Sequence, residues 1–184
     1  MSRTGNGWER SKMKSYYQGR HAQNYNRRWR AFSERTLSAT LTEVEQALPA
    51  QSSDRQRCIL DVGCGTGLLL SILADRFPKA ELVGVDSSPD MVEQARHTLS
   101  EKPHIHVLQA ELGVNGQTTL PFAPGTFDLI TCTNTFHYFT DPVAVLRTWR
   151  EVLVVEGHVV LEDYLLRRTP VEVVHWPKVE RVFK

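Results

Sequence analysis

The residues best placed to do chemistry in this sequence are three alternating glycines, Gly63, Gly65 and Gly67. Glycine has no Cβ, so the backbone of such a stretch turns sharply and comes close to a ligand. The apolar stretch from Leu68 predicts a helix, whose first amide groups would face that ligand. No Gly-Lys-Ser or Gly-Lys-Thr follows, so the spacing favours a flat or extended molecule over a nucleoside triphosphate.

Two aspartates flank the glycine turn and favour a nucleoside that carries a positive charge. Asp86 lies 19 residues after Gly67, at the end of a predicted strand, where a carboxylate accepts two hydrogen bonds from a ribose diol. Asp61 precedes the turn and would attract an ammonium group but repel a pyrophosphate. A dinucleotide fits less well, because Leu68 stands where the last glycine of that motif belongs.

Short apolar runs alternate with helical patterns along the chain and predict an α/β fold. The predicted strands are residues 58–62, 81–85, 105–108, 127–132 and 159–161. The predicted helices begin at Ser33, Leu68, Ser88 and Asp141. Such alternation forms right-handed crossovers, so we expect a doubly wound parallel sheet covered on both faces. Ligands bind at the carboxyl ends of such strands, where Asp86, Glu111 and Asn134 are predicted to lie.

Apolar residues at helical spacing predict the face that each helix buries. In the helix from Ser33 this face comprises Leu37, Leu41, Val44 and Leu48. In the helix from Ser88 it comprises Met91, Ala95 and Leu99. In the last helix it comprises Val145, Trp149 and Leu153.

Composition describes a globular chain of about one domain, with 184 residues, 41% hydrophobic residues and a net charge of +1. This balance argues against binding of nucleic acid through overall charge. Residues 1–36 hold nine basic residues against two acidic ones, while the remainder carries −6. The basic segment also contains the aromatic residues Trp8, Tyr16, Tyr17, Tyr25 and Trp29. We interpret it as a helical arm on the acidic body, with a surface for nucleic acid or an anionic membrane as the alternative.

Two stretches resemble known motifs: Ile59 to Gly67 is similar to the first motif of class I S-adenosylmethionine-dependent methyltransferases, and Val83 to Met91 to the second. Later segments resemble the branch that methylates small molecules such as quinones: Leu120–Phe122, Phe127–Ile130, Asn134, Phe136–Tyr138 and Asp141–Pro142. The resemblance covers about residues 57–163. It implies a Rossmann-like sheet of order 3-2-1-4-5, with S-adenosylmethionine as cofactor and S-adenosylhomocysteine as product.

The resemblance also implies which residues hold the cofactor. Asp61 would lie near its amino group and Asp86 would bind both ribose hydroxyls. Gly63, Cys64 and Gly65 would line the methionine and ribose portions. The remaining cofactor residues, most of them around the adenine, would be Ser87, Met91, Gln109, Ala110, Glu111 and Thr133. No metal site is predicted.

The sequence departs from the family pattern in three places. Gln109 stands where an aspartate is usual, and Gly157 alone is expected to make a turn for which relatives often use Pro-Gly-Gly. After Asp163 only 21 residues remain, so we expect the customary C-terminal antiparallel strand pair to be missing. The exposed edge of the fifth strand would then be covered by a homodimer partner or the last helix, unless the chain is truncated.

We therefore expect a methyltransferase that acts on a small-molecule acceptor. His137 is the candidate base for an acceptor that loses a proton, and a loop residue that caps the next helix is the alternative. We interpret Tyr25 and Trp29 as anchors of the N-terminal helix, with a lid over the cofactor as the alternative. A second function hypothesis is a non-catalytic cofactor-binding or partner protein. Methylation of nucleic acid ranks third and a nicotinamide-dependent reductase last.

We divide the chain into an N-terminal helical arm or lid, residues 1–50, and an S-adenosylmethionine-binding domain, residues 51–184. The cysteines Cys58, Cys64 and Cys132 lack zinc-site spacing and are predicted to be reduced, buried thiols. No apolar run is long enough to span a membrane, and the first 36 residues lack the apolar stretch of a secretory signal. The expected location is the cytoplasm, without a nucleic-acid partner.

Overall fold

The computed structural model describes residues 17–48, 56–112 and 119–163. The strands are β1 Cys58–Val62, β2 Glu81–Asp86, β3 Ile105–Gln109, β4 Phe127–Thr133 and β5 Leu153–Glu162. The α-helices are α1 Arg20–Gln23, α2 Tyr25–Arg28, α3 Arg30–Ala47, α4 Leu68–Arg76, α5 Pro89–Thr98 and α6 Pro142–Val152. A single 3-10 turn spans Phe136–Tyr138.

The five strands form one parallel sheet in the order β3-β2-β1-β4-β5. This confirms the predicted doubly wound α/β fold and its strand order. The order reverses at β1, which lies between β2 and β4. The crevice of such a sheet opens beyond the carboxyl ends of the strands at this reversal, and β1 ends there at the glycine turn.

Helices cover both faces of the sheet and bury two apolar clusters. On one face α3, α4 and α5 pack over the sheet, with Val44, Leu70 and Ala95 fully buried. On the other face α6 inserts Val145 and Trp149, both fully buried. No helix among the described residues is long and apolar enough to cross a membrane.

Helix α3 buries a more polar face than the sequence pattern predicts. Val44 is buried as expected, but Leu37 and Leu41 only pack against the edge of the core. Before Val44, the buried positions of the helix are Thr36 and Thr40. Burial is tolerated because the Thr40 hydroxyl donates to the Thr36 carbonyl at 3.0 Å, which satisfies the polar atom inside the helix.

Strand β5 begins earlier than predicted, and the expected helical position of Leu153 is wrong. Leu153 pairs with Phe127, and pairing resumes at His158 opposite Leu129. The residues between them bulge out of the register, and Glu156 takes a left-handed φ of 66°. Glu156, and not the predicted Gly157, therefore makes the turn.

The remaining fold predictions fare differently. Cys64 and Cys132 are buried thiols, as predicted, whereas Cys58 is only half-buried. The segment after Asp163, in which the C-terminal antiparallel strand pair is expected to be missing, lies outside the described residues. The homodimer thus stays a prediction.

Gly84 in the centre of β2 lets the glycine turn pack against the sheet. A Cβ at this position would lie 2.5 Å from Leu70 Cδ1 and 2.9 Å from Cys64 Sγ. The strand therefore needs glycine here because Cys64, the second residue of the turn, occupies the space above it.

Replacement of Gly84 by alanine tests this packing through the sign of its effect. In an ordinary strand, alanine in place of glycine stabilises by roughly 0.5–1 kcal/mol. Here the added methyl overpacks the core, and we expect Gly84→Ala to lower the free energy of unfolding by about 1–3 kcal/mol. Urea denaturation followed by circular dichroism measures the change, and a gain in stability would contradict the packing.

Candidate active site

A cavity of about 860 Å³ opens beyond the carboxyl ends of β1, β2 and β4. This volume falls within the roughly 300–1,000 Å³ typical of small-molecule sites. The cavity brings together every site residue predicted from the sequence: Asp61, Gly63, Cys64, Gly65, Asp86, Ser87, Met91, Gln109, Ala110, Glu111, Thr133 and His137. Their roles stay predictions, but their common location is a property of the fold.

The glycine turn follows β1 and forms the floor of the cavity. Gly63, Gly65 and Gly67 have φ angles of 75°, 53° and 78°, values that favour glycine because a Cβ is strained there. A Cβ at Gly63 would collide with the side chain of Thr135, whereas one at Gly65 would meet no atom within 4 Å. The backbone at Gly65 is therefore open to a ligand.

Asp86 ties the end of β2 to this turn. Its Oδ2 accepts a hydrogen bond from the Gly65 amide at 2.9 Å, and its Oδ1 accepts one from the Ser88 amide at 2.8 Å. Burial raises the pKa of Asp86, and these backbone amides oppose the rise. Each carboxylate oxygen keeps a second lone pair, so the group can still accept a pair of ligand hydroxyls.

Asp61 is a carboxyl group with little water around it, being only 2% exposed. Its Oδ1 accepts a hydrogen bond from the Thr131 hydroxyl at 2.8 Å. Burial raises the pKa of Asp61 to about 7; the Thr131 bond opposes the rise and the charge of Asp86 adds to it. A cationic ligand would reverse this shift, because it stabilises the ionised form. Asp61 is thus suited to bind an ammonium or sulfonium group.

The side of the cavity next to β3 is apolar with polar edges. Met91 is 2% exposed, and its thioether offers a polarisable surface to a flat ring. The Gln109 amide donates to the Ser87 carbonyl at 3.3 Å, and the Ala110 amide donates to the Asp86 carbonyl at 2.9 Å. These bonds hold the segment after β3 against the segment after β2.

Cys64 contributes no thiolate to the site. Its Sγ packs towards Gly84, and burial raises the pKa of the thiol well above its ordinary value.

Thr133, at the end of β4, shares a hydrogen bond of 3.2 Å with Thr40 of α3. The described residues contain no group of three or more His, Cys, Asp or Glu side chains that could hold a metal ion.

His137 forms a dyad with Asp163 that the sequence analysis missed. Its Nδ1 lies 2.6 Å from Asp163 Oδ1, and its backbone amide donates to Asp163 Oδ2 at 2.7 Å. The carboxylate side chain is 7% exposed and the imidazole 37% exposed. One bond orients the ring and the other fixes the backbone of His137 to the same carboxylate. With Nδ1 as donor the other ring nitrogen, Nε2, is the proton acceptor. Asp163 directly follows β5, so the rule that singled out Asp86 after β2 could have found it.

The N-terminal segment forms one wall of the cavity. The hydroxyl groups of Tyr17 and Tyr138 lie 2.6 Å apart, and the Ser88 hydroxyl donates to the Tyr17 carbonyl at 2.8 Å. Tyr25 also lines the cavity. Trp29 is 36% exposed and packs against Phe32 of α3, and the anchoring role of Tyr25 and Trp29 stays a prediction.

The pH dependence of stability tests the burial of Asp61. Its pKa is about 7 in the fold against an ordinary 3.8, so the folded chain binds the proton more tightly than the unfolded chain. The tighter binding adds to the free energy of unfolding. This added stability is complete below the ordinary pKa of 3.8 and is lost as the pH rises through 7. We expect the melting temperature to fall between about pH 4 and pH 7, and Asp61→Asn to flatten that decline.

Glu162 also makes the fold less stable as the pH rises, because burial raises its pKa to about 7. The variant Glu162→Gln removes the part of the pH dependence that comes from Glu162 and so serves as a comparison. Differential scanning calorimetry across this pH range gives the slopes. An Asp61→Asn variant with the slope of the parent would show that Asp61 is hydrated in the folded chain.

Comparison with known proteins identifies the family. The family described as "Methyltransferase domain" matches residues 59–157. The malonyl-[acyl-carrier protein] O-methyltransferase of Legionella pneumophila is 36% identical over 101 residues, which are 55% of this chain and 34% of that protein. The demethylmenaquinone methyltransferase of Thermotoga maritima is 35% identical over 107 residues, 58% of this chain and 43% of that protein. The chain thus spans less than half the length of these relatives.

Solved structures share the same architecture. The YcgJ protein from Bacillus subtilis has a TM-score of 0.58 and 26% identity over 69% of this chain and 51% of that one. A SAM-dependent methyltransferase from Aquifex aeolicus also has a TM-score of 0.58, with 20% identity over 78% of this chain and 76% of that one. Since the family match covers more than half of its residues, the chain belongs to the methyltransferase domain family.

Proposed function

We propose that the protein transfers the methyl group of S-adenosylmethionine to a small-molecule acceptor. The observation that carries this proposal is the pair of carboxyl groups, Asp61 and Asp86, on either side of an open glycine turn in one cavity. The carboxyl of Asp61 suits a cation, and that of Asp86 suits a diol. The membership in the methyltransferase domain family and the names of the relatives support the same activity.

The residues around the cavity fit this cofactor. The backbone at Gly65 accepts the approach of the ligand because no side chain fills the space above it. Asp86 would accept hydrogen bonds from the ribose hydroxyls, and Asp61 would face the positive charge of the amino group. Met91 and the segment from Gln109 to Glu111 would enclose the adenine. A chain that bound a pyrophosphate would not place Asp61 here, since like charges repel.

When bound, the cofactor supplies an electrophilic methyl group on a sulfonium. The chain's main contribution is alignment, because holding an acceptor in line at near-attack distance removes most of the entropic cost of the reaction. Tyr17, Tyr25 and Tyr138 line the wall next to His137, and their hydroxyl groups can hold a polar acceptor. The aromatic rings give that acceptor a flat surface.

The dyad of His137 and Asp163 favours an acceptor that must lose a proton. A hydroxyl group, such as that of a phenol or quinol, gains nucleophilicity when a base removes its proton. A carboxylate is already ionised at neutral pH and needs no base. We therefore propose a hydroxyl acceptor, unlike the malonyl group that one relative's name contains.

The proposal extends to the domain organisation. Residues 1–50 would form the N-terminal helical arm or lid and residues 51–184 the S-adenosylmethionine-binding domain. The cavity lining by Tyr17, Tyr25 and Thr36 supports an arm that packs next to the site. The enzyme would work in the cytoplasm and without a nucleic-acid substrate. A homodimer that covers the outer edge of β5 is part of the same proposal.

Isothermal titration calorimetry with S-adenosylhomocysteine tests the cofactor site. We expect the full chain to bind, and Asp86→Asn to weaken binding by about 10- to 100-fold, because charge-assisted hydrogen bonds contribute about 1.5–3 kcal/mol. The matched control is Asp75→Asn, an exposed carboxyl that pairs with Lys102 outside the cavity. Its affinity should equal that of the parent.

The outcomes separate the two function hypotheses. Absence of heat with folded protein would refute the cofactor site. Binding without methylation of any acceptor would favour the alternative, a non-catalytic protein that has kept the cofactor half.

Transfer of a tritiated methyl group to catechol, reduced menadione and malonyl-N-acetylcysteamine tests the acceptor class. We expect turnover of the hydroxyl acceptors, and His137→Gln to lower kcat by about 10²- to 10⁴-fold, the range for loss of a general base. Affinity for S-adenosylhomocysteine should not change. Asp163→Asn should lower kcat less, because the imidazole remains while its orientation is weakened.

The exposed His97 provides the control, since His97→Gln removes an imidazole outside the cavity. Parent-like kcat in His137→Gln would exclude the base. Methylation of the malonyl thioester alone would overturn the acceptor class while leaving the cofactor site intact.

A further inference from the structure

Two tyrosine hydroxyl groups meet at the wall of the cavity. The hydroxyl oxygens of Tyr17 and Tyr138 lie 2.6 Å apart, within the range of an O–H···O hydrogen bond, and both residues line the cavity. Their rings meet edge to face, with centroids 6.0 Å apart. We call these two residues the tyrosine pair.

Backbone contacts fix both members of the tyrosine pair. The Tyr17 carbonyl accepts a hydrogen bond from the Ser88 hydroxyl at 2.8 Å, next to the start of α5. The Tyr138 amide donates to the Thr135 carbonyl at 3.0 Å, within the 3-10 turn after β4. The two hydroxyl groups are therefore held in place by the fold, as a binding site for a polar group requires.

The hydroxyl group of Tyr138 keeps the capacity for a further hydrogen bond. A phenolic hydroxyl both donates and accepts, and within the described ranges Tyr17 is the one hydrogen-bond partner of the Tyr138 hydroxyl. When Tyr17 is the donor, the proton of Tyr138 is open to a ligand, and when Tyr138 is the donor, its oxygen can still accept. A hydroxyl group on the ligand satisfies both cases, whereas a carbonyl satisfies only the first.

The tyrosine pair lies beside the proposed base. The rings of His137 and Tyr138 have centroids 3.9 Å apart, so an acceptor at the imidazole is also within reach of the Tyr138 side chain. A hydroxyl that donated to the reacting oxygen would stabilise the negative charge that methyl transfer consumes, and would thus oppose the reaction. The tyrosine pair is therefore better suited to an oxygen that does not react.

We propose that the tyrosine pair binds a second hydroxyl group of the acceptor, which is thus an aromatic diol. One oxygen of the diol faces Nε2 of His137, and the other forms a hydrogen bond with the hydroxyl of Tyr138. The neighbouring aromatic rings favour a planar acceptor. This inference rests on the proposed function, because the reacting oxygen is the one that His137 deprotonates. It adds the residues that select an acceptor with two oxygens over one with a single oxygen.

Paired acceptors that differ by one hydroxyl group test this assignment. The pairs are catechol with phenol, and reduced menadione with 2-methyl-1-naphthol, which space their two oxygens differently. We expect the full chain to methylate the diol of at least one pair with the higher kcat/KM. Tyr138→Phe should lower kcat/KM for that diol about 3- to 10-fold, the loss for one hydrogen bond between neutral groups. The value for the single-hydroxyl acceptor should not change.

Two further variants separate binding of the acceptor from support of the wall. Tyr17→Phe should lower the preference for the diol less than Tyr138→Phe, because the hydroxyl that meets the acceptor remains. The double variant should fall no further than Tyr138→Phe, since the two hydroxyl groups act as one unit. The control Thr42→Val removes an exposed hydroxyl of α3 outside the cavity and should keep the preference of the parent. Equal losses for both acceptors of a pair in Tyr138→Phe would show a purely structural role and overturn the inference.

Calorimetry on the complex with S-adenosylhomocysteine separates this inference from the proposed function. Each acceptor is titrated into the parent and into Tyr138→Phe after S-adenosylhomocysteine has bound. Failure of the folded parent to bind S-adenosylhomocysteine would refute the proposed function, and this inference with it. With S-adenosylhomocysteine bound, equal affinity of the parent for both members of each pair, or an unchanged preference in Tyr138→Phe, would overturn this inference alone.

Discussion

The hydrogen bond between the Asp86 carboxylate and the Gly65 amide holds the site together. It joins the end of β2 to the turn after β1 at 2.9 Å, and both Gly63 and Cys64 donate their amides to the Val85 carbonyl nearby. Without these bonds the left-handed glycines would leave the turn unsupported, because glycine gains nothing from side-chain packing. The same carboxylate is then available to a ligand, so support of the loop and binding share one group.

A polar layer beneath α3 sets the character of the interior next to this turn. Thr133 pairs in register with Glu162, and its hydroxyl reaches Thr40 of α3. Glu162 is 5% exposed, and its Oε2 has no hydrogen-bond partner among the described residues. Asp61 lies on the same sheet with its pKa also near 7. Two buried carboxyl groups with raised pKa values thus distinguish this part of the core from the apolar end of α3 around Val44.

The N-terminal helices supply part of the cavity wall. Tyr25 of α2 and Thr36 of α3 line the cavity, so a change in the position of either helix would move that wall. Ser88, whose hydroxyl binds the Tyr17 carbonyl, links this wall to the start of α5.

Much of the fold and of the lining of the cavity was predictable from the sequence. The glycine spacing, the acid at the end of β2 and the alternation of strands and helices are local signals, because each depends on backbone conformation within a few residues. The polar face of α3 was not predictable, because hydrogen bonds of the Thr40 hydroxyl let threonine take buried positions that the pattern assigns to leucine. The turn at Glu156 was not predictable either, because pairing with the neighbouring strand places the left-handed residue at Glu156 and not at the glycine that follows.

The sequence by itself therefore determined the alternation of strands and helices, the glycine turn and the acids beside it, whereas the strand order came from the family resemblance. Only the tertiary structure decided that His137 meets Asp163, 26 residues further on, at 2.6 Å. It also decided that Tyr17 reaches Tyr138 across 121 residues. Contacts between residues so far apart follow from the packing of whole elements, because a parallel sheet brings the ends of distant strands to one edge.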